Sequence, residues 1–294
     1  MPIQRATTAE LDSAQRVVVA RCRYTAEHSA PMTGLVEHFR LGKGEKSITV
    51  PKASQMTALH LTDGTDIGGD EDIGMTVTDL TTAEVGLKVI LTDKLVRQLN
   101  EDAFGIVGKQ AGDAMGRIKD TDLLALFSAL NGGTDLGAST RDLELGNLWV
   151  LIAQAKARKF LPPYTLVHHP LTTMKVGMSA AGYAGSGTMG AAAGAAFPAG
   201  FSQDTLKDFF EYRLDQCSVF EDGNITVDAT GDAIGAIFSK SAMCFVESVG
   251  YNVERERDAS LRATELVTTA DYGVFELDDS QGAPVTMNAT AATD

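Results

Sequence analysis

The sequence predicts an α+β chain that runs from an arm through a two-part β-ribbon and a long helix to a mixed α/β region and late long strands. Three observations carry this. Residues 84–91 alternate as a strand, with Val85, Leu87, Val89 and Leu91 on one face. Residues 93–130 repeat apolar side chains at steps of three and four. Residues 242–246, 251–257, 261–268 and 272–277 form a late group of long β runs.

The N-terminal segment, 1–38, reads as an arm. A helical patch at 9–20 places Leu11, Ala14, Val17 and Val18 on one face, and 21–33 shows no period. The segment 39–91 reads as a β-ribbon. Ser47, Ile48, Thr49 and Val50 alternate and stop at Pro51, and 56–61 offers a second extended piece. A turn-rich acidic tract follows at 63–72, before β alternation resumes at 75–78. The segment has few large apolar side chains, and an isolated ribbon of this kind is marginal in water. The simplest remedy is cover from another subunit.

The helical signal spans 92–133. Thr92 is the expected N-cap and Asp93 puts negative charge in the first turn. Leu95, Leu99, Ala103, Val107, Ala111, Ala114 and Ile118 mark the apolar stripe. After a polar break at Lys119, Asp120, Thr121 and Asp122 come Leu123, Leu124, Leu126, Phe127 and Leu130, and Asn131-Gly132-Gly133 stops the helix. Unbroken, 93–130 would be about 57 Å long at ~1.5 Å per residue. Gly105, Gly108, Gly112 and Gly116 share one stripe of it. Each costs about 1 kcal/mol relative to Ala, which close backbone packing must offset. A helix broken near Gly105 is the alternative.

The segment 134–240 is mixed. A Gly/Ser/Thr linker at 134–142 precedes an amphipathic helix at 143–160, closed by Pro162 and Pro163. A strand at 164–167 ends at His168-His169-Pro170, and 171–178 follows as a short helix. The Gly/Ala tract 179–200 reads as a loop. Short strands are expected at 219–220, 225–227 and 233–238. Late strands occupy 241–280, with Asp258, Ala259 and Ser260 as a turn, and 281–294 reads as a small, polar, frayed tail.

Composition narrows the function. The net charge of −14 argues against wrapping nucleic acid through phosphate neutralisation. Cys22, Cys217 and Cys244 are far apart, without a C-x-x-C, so neither a disulfide framework nor a zinc site is expected. No apolar run approaches a membrane span and no signal-peptide core is seen, so a cytosolic chain with no membrane partner is expected.

The chemistry of catalysis is hard to place. His28, His38, His60, His168 and His169 lack metal-ligand spacing, and the last two point to opposite faces of a strand. The tract 63–72, read as an EF-hand loop from Asp63, has Gly74 where a bidentate Glu is needed. Gly185-Ser186-Gly187-Thr188-Met189-Gly190 satisfies G-x-G-x-x-G, but the preceding 177–184 is no buried strand. The expectation is no catalytic, cofactor-binding or metal residue, no cofactor and no enzyme. A nucleotide-using enzyme built on that glycine tract is the alternative that titration would test.

Taken in order, the elements resemble the major capsid protein fold of tailed double-stranded DNA phages. Residues 84–96, EVGLKVILTDKLV, resemble that family's passage from the return strand of the extended loop into the spine helix. Residues 164–171, YTLVHHPL, resemble its axial-domain strand that closes on an x-Pro. Residues 249–277, with Tyr272-Gly273, resemble its late strands. The resemblance implies an N-terminal arm, an extended β-ribbon loop, a peripheral domain with a long spine helix, and an axial α/β domain. It further implies self-assembly through hexamers and pentamers into an icosahedral virion shell enclosing double-stranded DNA, built in the host cytoplasm. Contact with the packaged DNA would be weak and non-specific. A portal and optional decoration proteins would be partners. Only residues 1–38 precede the ribbon, so a separate scaffolding protein is expected. Lys43, Lys46 and Lys52 lie in or near the ribbon, but no Asn partner for a cross-link can be placed. An encapsulin-like compartment shell shares the fold and is the alternative.

Overall fold

The computed structural model describes residues 31–53, 74–98, 103–180 and 212–291, together with Met56, Ala58, His60, Asp63 and Gly64. The helical patch at 9–20, most of the acidic tract and the Gly/Ala tract beyond Ala180 lie outside the described residues.

Among the described residues there are three β assemblies. A ribbon pairs β2 (Ile48–Ala53) with β3 (Met75–Leu80). A four-stranded sheet has the order β1 (Glu37–Arg40), β9 (Met243–Asp258), β10 (Ala263–Glu276), β4 (Ala83–Thr92). A five-stranded sheet has the order β11 (Gly282–Asn288), β8 (Asp232–Ser239), β5 (Tyr164–His168), β7 (Cys217–Glu221), β6 (Tyr212–Leu214). The return strand β4 therefore does not pair within the ribbon. It lies antiparallel to β10 over its whole length, from Ala83 opposite Tyr272 to Thr92 opposite Ala263. Pro51 does not end β2, which continues to Ala53. Pro51 pairs only with Val77 in a two-stranded ribbon, where a missing N–H can face away from the ladder.

The late runs merge into two long strands. Where 242–246 and 251–257 seemed separate, β9 is continuous, and β10 likewise joins 261–268 to 272–277. Register shifts between Thr269, Asp271 and Tyr272 interrupt the side-chain alternation without ending the strand. Asp258 makes the turn, its Oδ1 accepting from the Ser260 and Leu261 amides and the Ser260 hydroxyl.

Helix α1 (Asp93–Gln98) opens with the expected cap, the Leu95 amide donating to Thr92 Oγ1 at 3.3 Å. Helix α2 (Ala103–Ala125) follows. It ends five residues before Leu130, because Leu126 and Phe127 donate to the carbonyls three residues back and tighten the turn. Asn131, Gly132 and Gly133 all adopt positive φ, as a helix stop of this composition requires. The buried face of α2 carries Val107, Ala111, Met115 and Leu123, with Gly108, Gly112 and Gly116 buried beside them. The helix packs inside this chain against β10, β4 and the 3-10 turn Pro31–Gly34, with these three glycines of the stripe among its buried residues.

The largest core lies between the two sheets. Met115, Leu123 and Phe127 meet Phe238 of β8 and Phe245, Ala270 and Tyr272 of the hairpin. The Phe127 and Phe238 rings are 5.8 Å apart, and those of Phe245 and Tyr272 are 5.5 Å apart. A second core sits on the five-stranded sheet, where Leu148, Leu151, Ile152 and Ala155 of α3 (Leu145–Ala157) cover Leu166, Val219, Ile237 and Val285. Helix α4 (Pro170–Ala180) adds Val176.

Two expectations fail. Residues 225–227 are not a strand but a single bridge from Val227 to Ala233. The tail is not frayed through 281–291. Ala283, Val285 and Met287 are buried in β11, antiparallel to β8. The linker covers the outer edge of β11: Leu136 N donates to Pro284 O, Asn288 N to Arg141 O, and Thr286 N to Asp135 Oδ1. Lys175 and Asn288 both donate to Asp142 Oδ1, tying α4, the linker and β11 together.

His168 ends β5 in full burial. Its ring nitrogens are both engaged, with Nε2 on Val285 O at 3.1 Å and Nδ1 accepting from the His169 amide. Burial pulls its pKa down to about 4. The ring packs where a side chain on Gly235 would stand, and an added methyl there would also overlap Val167 O. Gly235→Ala should therefore cost about 1–3 kcal/mol, the usual penalty of overpacking. Gly146→Ala, an open position on α3, should gain up to about 1 kcal/mol; paired thermal melts check both. His168 also sets a pH slope. Between about 4 and its ordinary value of 6.5 the unfolded chain binds a proton that the folded chain refuses, so stability falls as pH drops through that window. Melts from pH 7 to 4.5 should show this loss reduced in His168→Gln.

Candidate assembly surfaces

The ribbon is anchored at its base. At its base Leu80 is 0% exposed and joins Leu41, Cys244 and Val246, with Ile48 and Val50 packed against them. Val77 and Met75 lie on the opposite face of the ribbon and are each 63% exposed. The register places Pro51 opposite Val77 and Ala53 opposite Met75, all four on one face. The ribbon therefore carries an apolar outward face without a second layer among the described residues. One exposed ion pair, Lys52 to Asp278 at 2.5 Å, braces it against the body; such pairs contribute little. Lys43 and Lys46 lie before β2 and are exposed.

Two other surfaces stand out. Helix α3 buries Leu148, Leu151 and Ile152 but turns Trp149 and Val150 to solvent. The face of the four-stranded sheet opposite α2 is acidic. Its register sets Glu84 beside Asp271 and Glu265 beside Glu256, with Glu254 on the same side. Lys88, paired with Glu265, is the cation of this face in the registered rows from Glu84 to Ile90. Like charges directly opposite one another destabilise a sheet, so this face is kept in water or meets a complementary surface.

The groups that sequence reading singled out for chemistry do not converge. The Gly185–Gly190 motif, Cys22, His28 and residues 65–72 lie outside the described residues. Among the described residues, no three His, Cys, Asp or Glu side chains are grouped to hold a metal ion. Cys217 and Cys244 are free and buried, and burial pushes both thiols up to about 12, far from a reactive thiolate. His38 packs its ring on Phe245 and reaches Thr33 O.

Sequence reading missed two buried ionisable groups. Lys119 and Asp120 are not a polar break, since α2 runs through them and they are only 4% and 0% exposed. Lys119 Nζ lies 4.2 Å from the Tyr251 ring centre and 5.4 Å from those of Phe245 and Tyr272, with Glu247 Oε1 at 3.4 Å. Asp122 accepts from the Tyr272 hydroxyl. A signal was present. Ala111, Met115, Lys119 and Gly108, Gly112, Gly116, Asp120 continue the buried stripe at steps of four.

Comparison with known proteins gives a match at the level of structure. No protein-family model and no curated protein sequence matches the chain. The capsid of a native GTA particle superposes with a TM-score of 0.66 at 12% identity, over 89% of this chain and 91% of the other. The capsid of the cyanophage P-SCSP1u gives 0.59 at 13% identity, over 88% and 87%. A structure from Mycobacterium phage Che8 gives 0.55 at 17% identity, over 84% and 86%. A ribbon held out from a helix-backed long hairpin, beside a separate five-stranded sheet, is the phage major capsid protein fold.

Proposed function

We propose that the chain is the repeating subunit of a closed viral shell, a major capsid protein of a tailed phage, with a structural rather than an enzymatic role. The observation that carries this is the ribbon, whose outward face of Pro51, Ala53, Met75 and Val77 has no cover among the described residues. A surface of that kind gains from contact with a second copy, and the likeness to a capsid structure over about nine-tenths of both chains supports this reading.

In this reading residues 1–38 are the arm and 39–91 the extended loop. Residues 92–133 with the strands at 241–280 form the peripheral domain, and 134–240 form the axial domain. Copies meet as hexamers and pentamers around double-stranded DNA in the virion, after assembly in the host cytoplasm with a separate scaffolding protein and a portal. Decoration proteins are optional additions. The excess of acidic groups suits a wall that encloses DNA without clinging to it.

The double variant Met75→Asp, Val77→Asp tests the ribbon's part. Both sites are exposed, so folding stability should change by no more than about 0.5 kcal/mol per site. Sedimentation of protein expressed with its assembly partners should show wild-type particles and only slow-sedimenting subunits for the variant. Particles at wild-type yield from the variant would contradict the proposal.

A further inference from the structure

Asp120 and Asp222 come from different parts of the fold and meet in its interior. Asp120 is on α2 and fully buried, and Asp222 follows β7 at 3% exposure. Asp120 Oδ1 accepts from the Met32 amide at 3.2 Å, and its Oδ2 accepts from Asn224 Nδ2 at 2.8 Å. Asp222 Oδ1 accepts from the Asn224 amide at 2.8 Å, while its own amide donates to His168 O. Asp222 Oδ2 is buried with no protein donor. Asn224 bridges the two carboxyls, its side-chain amide donating to Asp120 and its backbone amide to Asp222, and for the remaining buried Asp222 oxygen the donor is a proton kept on the acid pair.

The other charged groups nearby are committed or partly in solvent. Lys119, on the same helix, points to Glu247 and the aromatic rings. Asp122 is held by Tyr272, and Glu221 accepts from Thr173. His169, at the end of β5, feels the Asp222 charge but is half-buried. His168 offers the pair its backbone carbonyl, through the Asp222 amide.

We propose that Asp120 and Asp222 form a proton-sharing latch that holds the Pro31–Gly34 turn onto α2 while one proton is kept and loosens it when the proton leaves. The latch joins three elements at Asp120, which accepts from both Met32 and Asn224, and the kept proton is what lets this acid stay buried under the turn. It does not depend on the shell reading. Burial, followed by the hydrogen bond with Asp222, pushes Asp120 up to about 7. A carboxyl that opens to water returns toward 3.8, so the closed form holds a proton that the open form releases. Opening therefore becomes easier as pH rises between these values, and levels off above about 7. This slope is opposite in sign to that of His168.

Hydrogen–deuterium exchange at the Met32 and Leu35 amides, corrected for intrinsic exchange, reads the latch. In the wild-type chain, protection should fall by up to about tenfold per pH unit from pH 5 to 7 and then flatten. Asp120→Asn keeps an acceptor for Met32, gives up the one for the Asn224 side chain, and has no proton to lose, so its protection, though lower, should hold steady across that range. Asp222→Asn, which removes the second acid but leaves both contacts to Asp120, should also flatten the profile and serves if the first variant does not fold. Wild-type protection independent of pH would overturn the latch. So would a fall of wild-type steepness in whichever variant folds.

Discussion

A two-stranded ribbon can hide only the face that something else covers. Here the body covers one end: Leu80 and Ile48 are fixed against Leu41, Cys244 and Val246, and beyond Val50 the cover stops. Met75 and Val77, on the opposite face, are left in water. Every other part of the fold makes that placement rigid. The ribbon's base packs on β9, β9 is half of the long hairpin, and the hairpin is backed by α2. A floppy body would let the apolar face fold back on itself. A body with one core running between both sheets holds it out for another molecule to meet.

That rigidity rests on an unusual helix face. Val107, Ala111, Met115 and Leu123 provide ordinary apolar packing, and Gly108, Gly112 and Gly116 bring the backbone close to its neighbours. The same face then carries Lys119 and Asp120 into the interior. Truncating one partner of such a buried charge costs about 3–5 kcal/mol, because the other is left without compensation. Each group is accordingly met: Lys119 by Glu247 and three aromatic rings, and Asp120 by the Met32 and Asn224 donors and its own raised affinity for a proton. One turn of helix thereby ties the hairpin, the segment after β7 and the Pro31–Gly34 turn.

Much of the architecture was legible because period and burial agreed. The alternation of Val85, Leu87, Val89 and Leu91 marks β4, the steps of three and four mark α2, and the lone ribbon showed its want of a core. What was hidden had local composition opposed by tertiary context. Gly282, Ala283, Pro284 and Thr286 look like a polar tail, yet the linker edge and β8 make a strand of them. The bulge near Thr269 disguised one strand as two. Lys119 and Asp120 looked like a solvated break because their partners, Glu247 and Asn224, lie more than a hundred residues away. The ribbon's apolar outward face was invisible for a further reason: it needs the register of Pro51 on Val77 and Ala53 on Met75, which the sequence does not state.

The central claim is that this fold completes its packing only in contact with copies of itself. Electron cryo-microscopy of the protein produced with its assembly partners tests that most directly. The account predicts closed shells in which each ribbon lies with Met75 and Val77 buried on a neighbouring copy. A protein that stays a compact monomer under all assembly conditions would contradict it, as would shells in which that face of the ribbon remains in solvent.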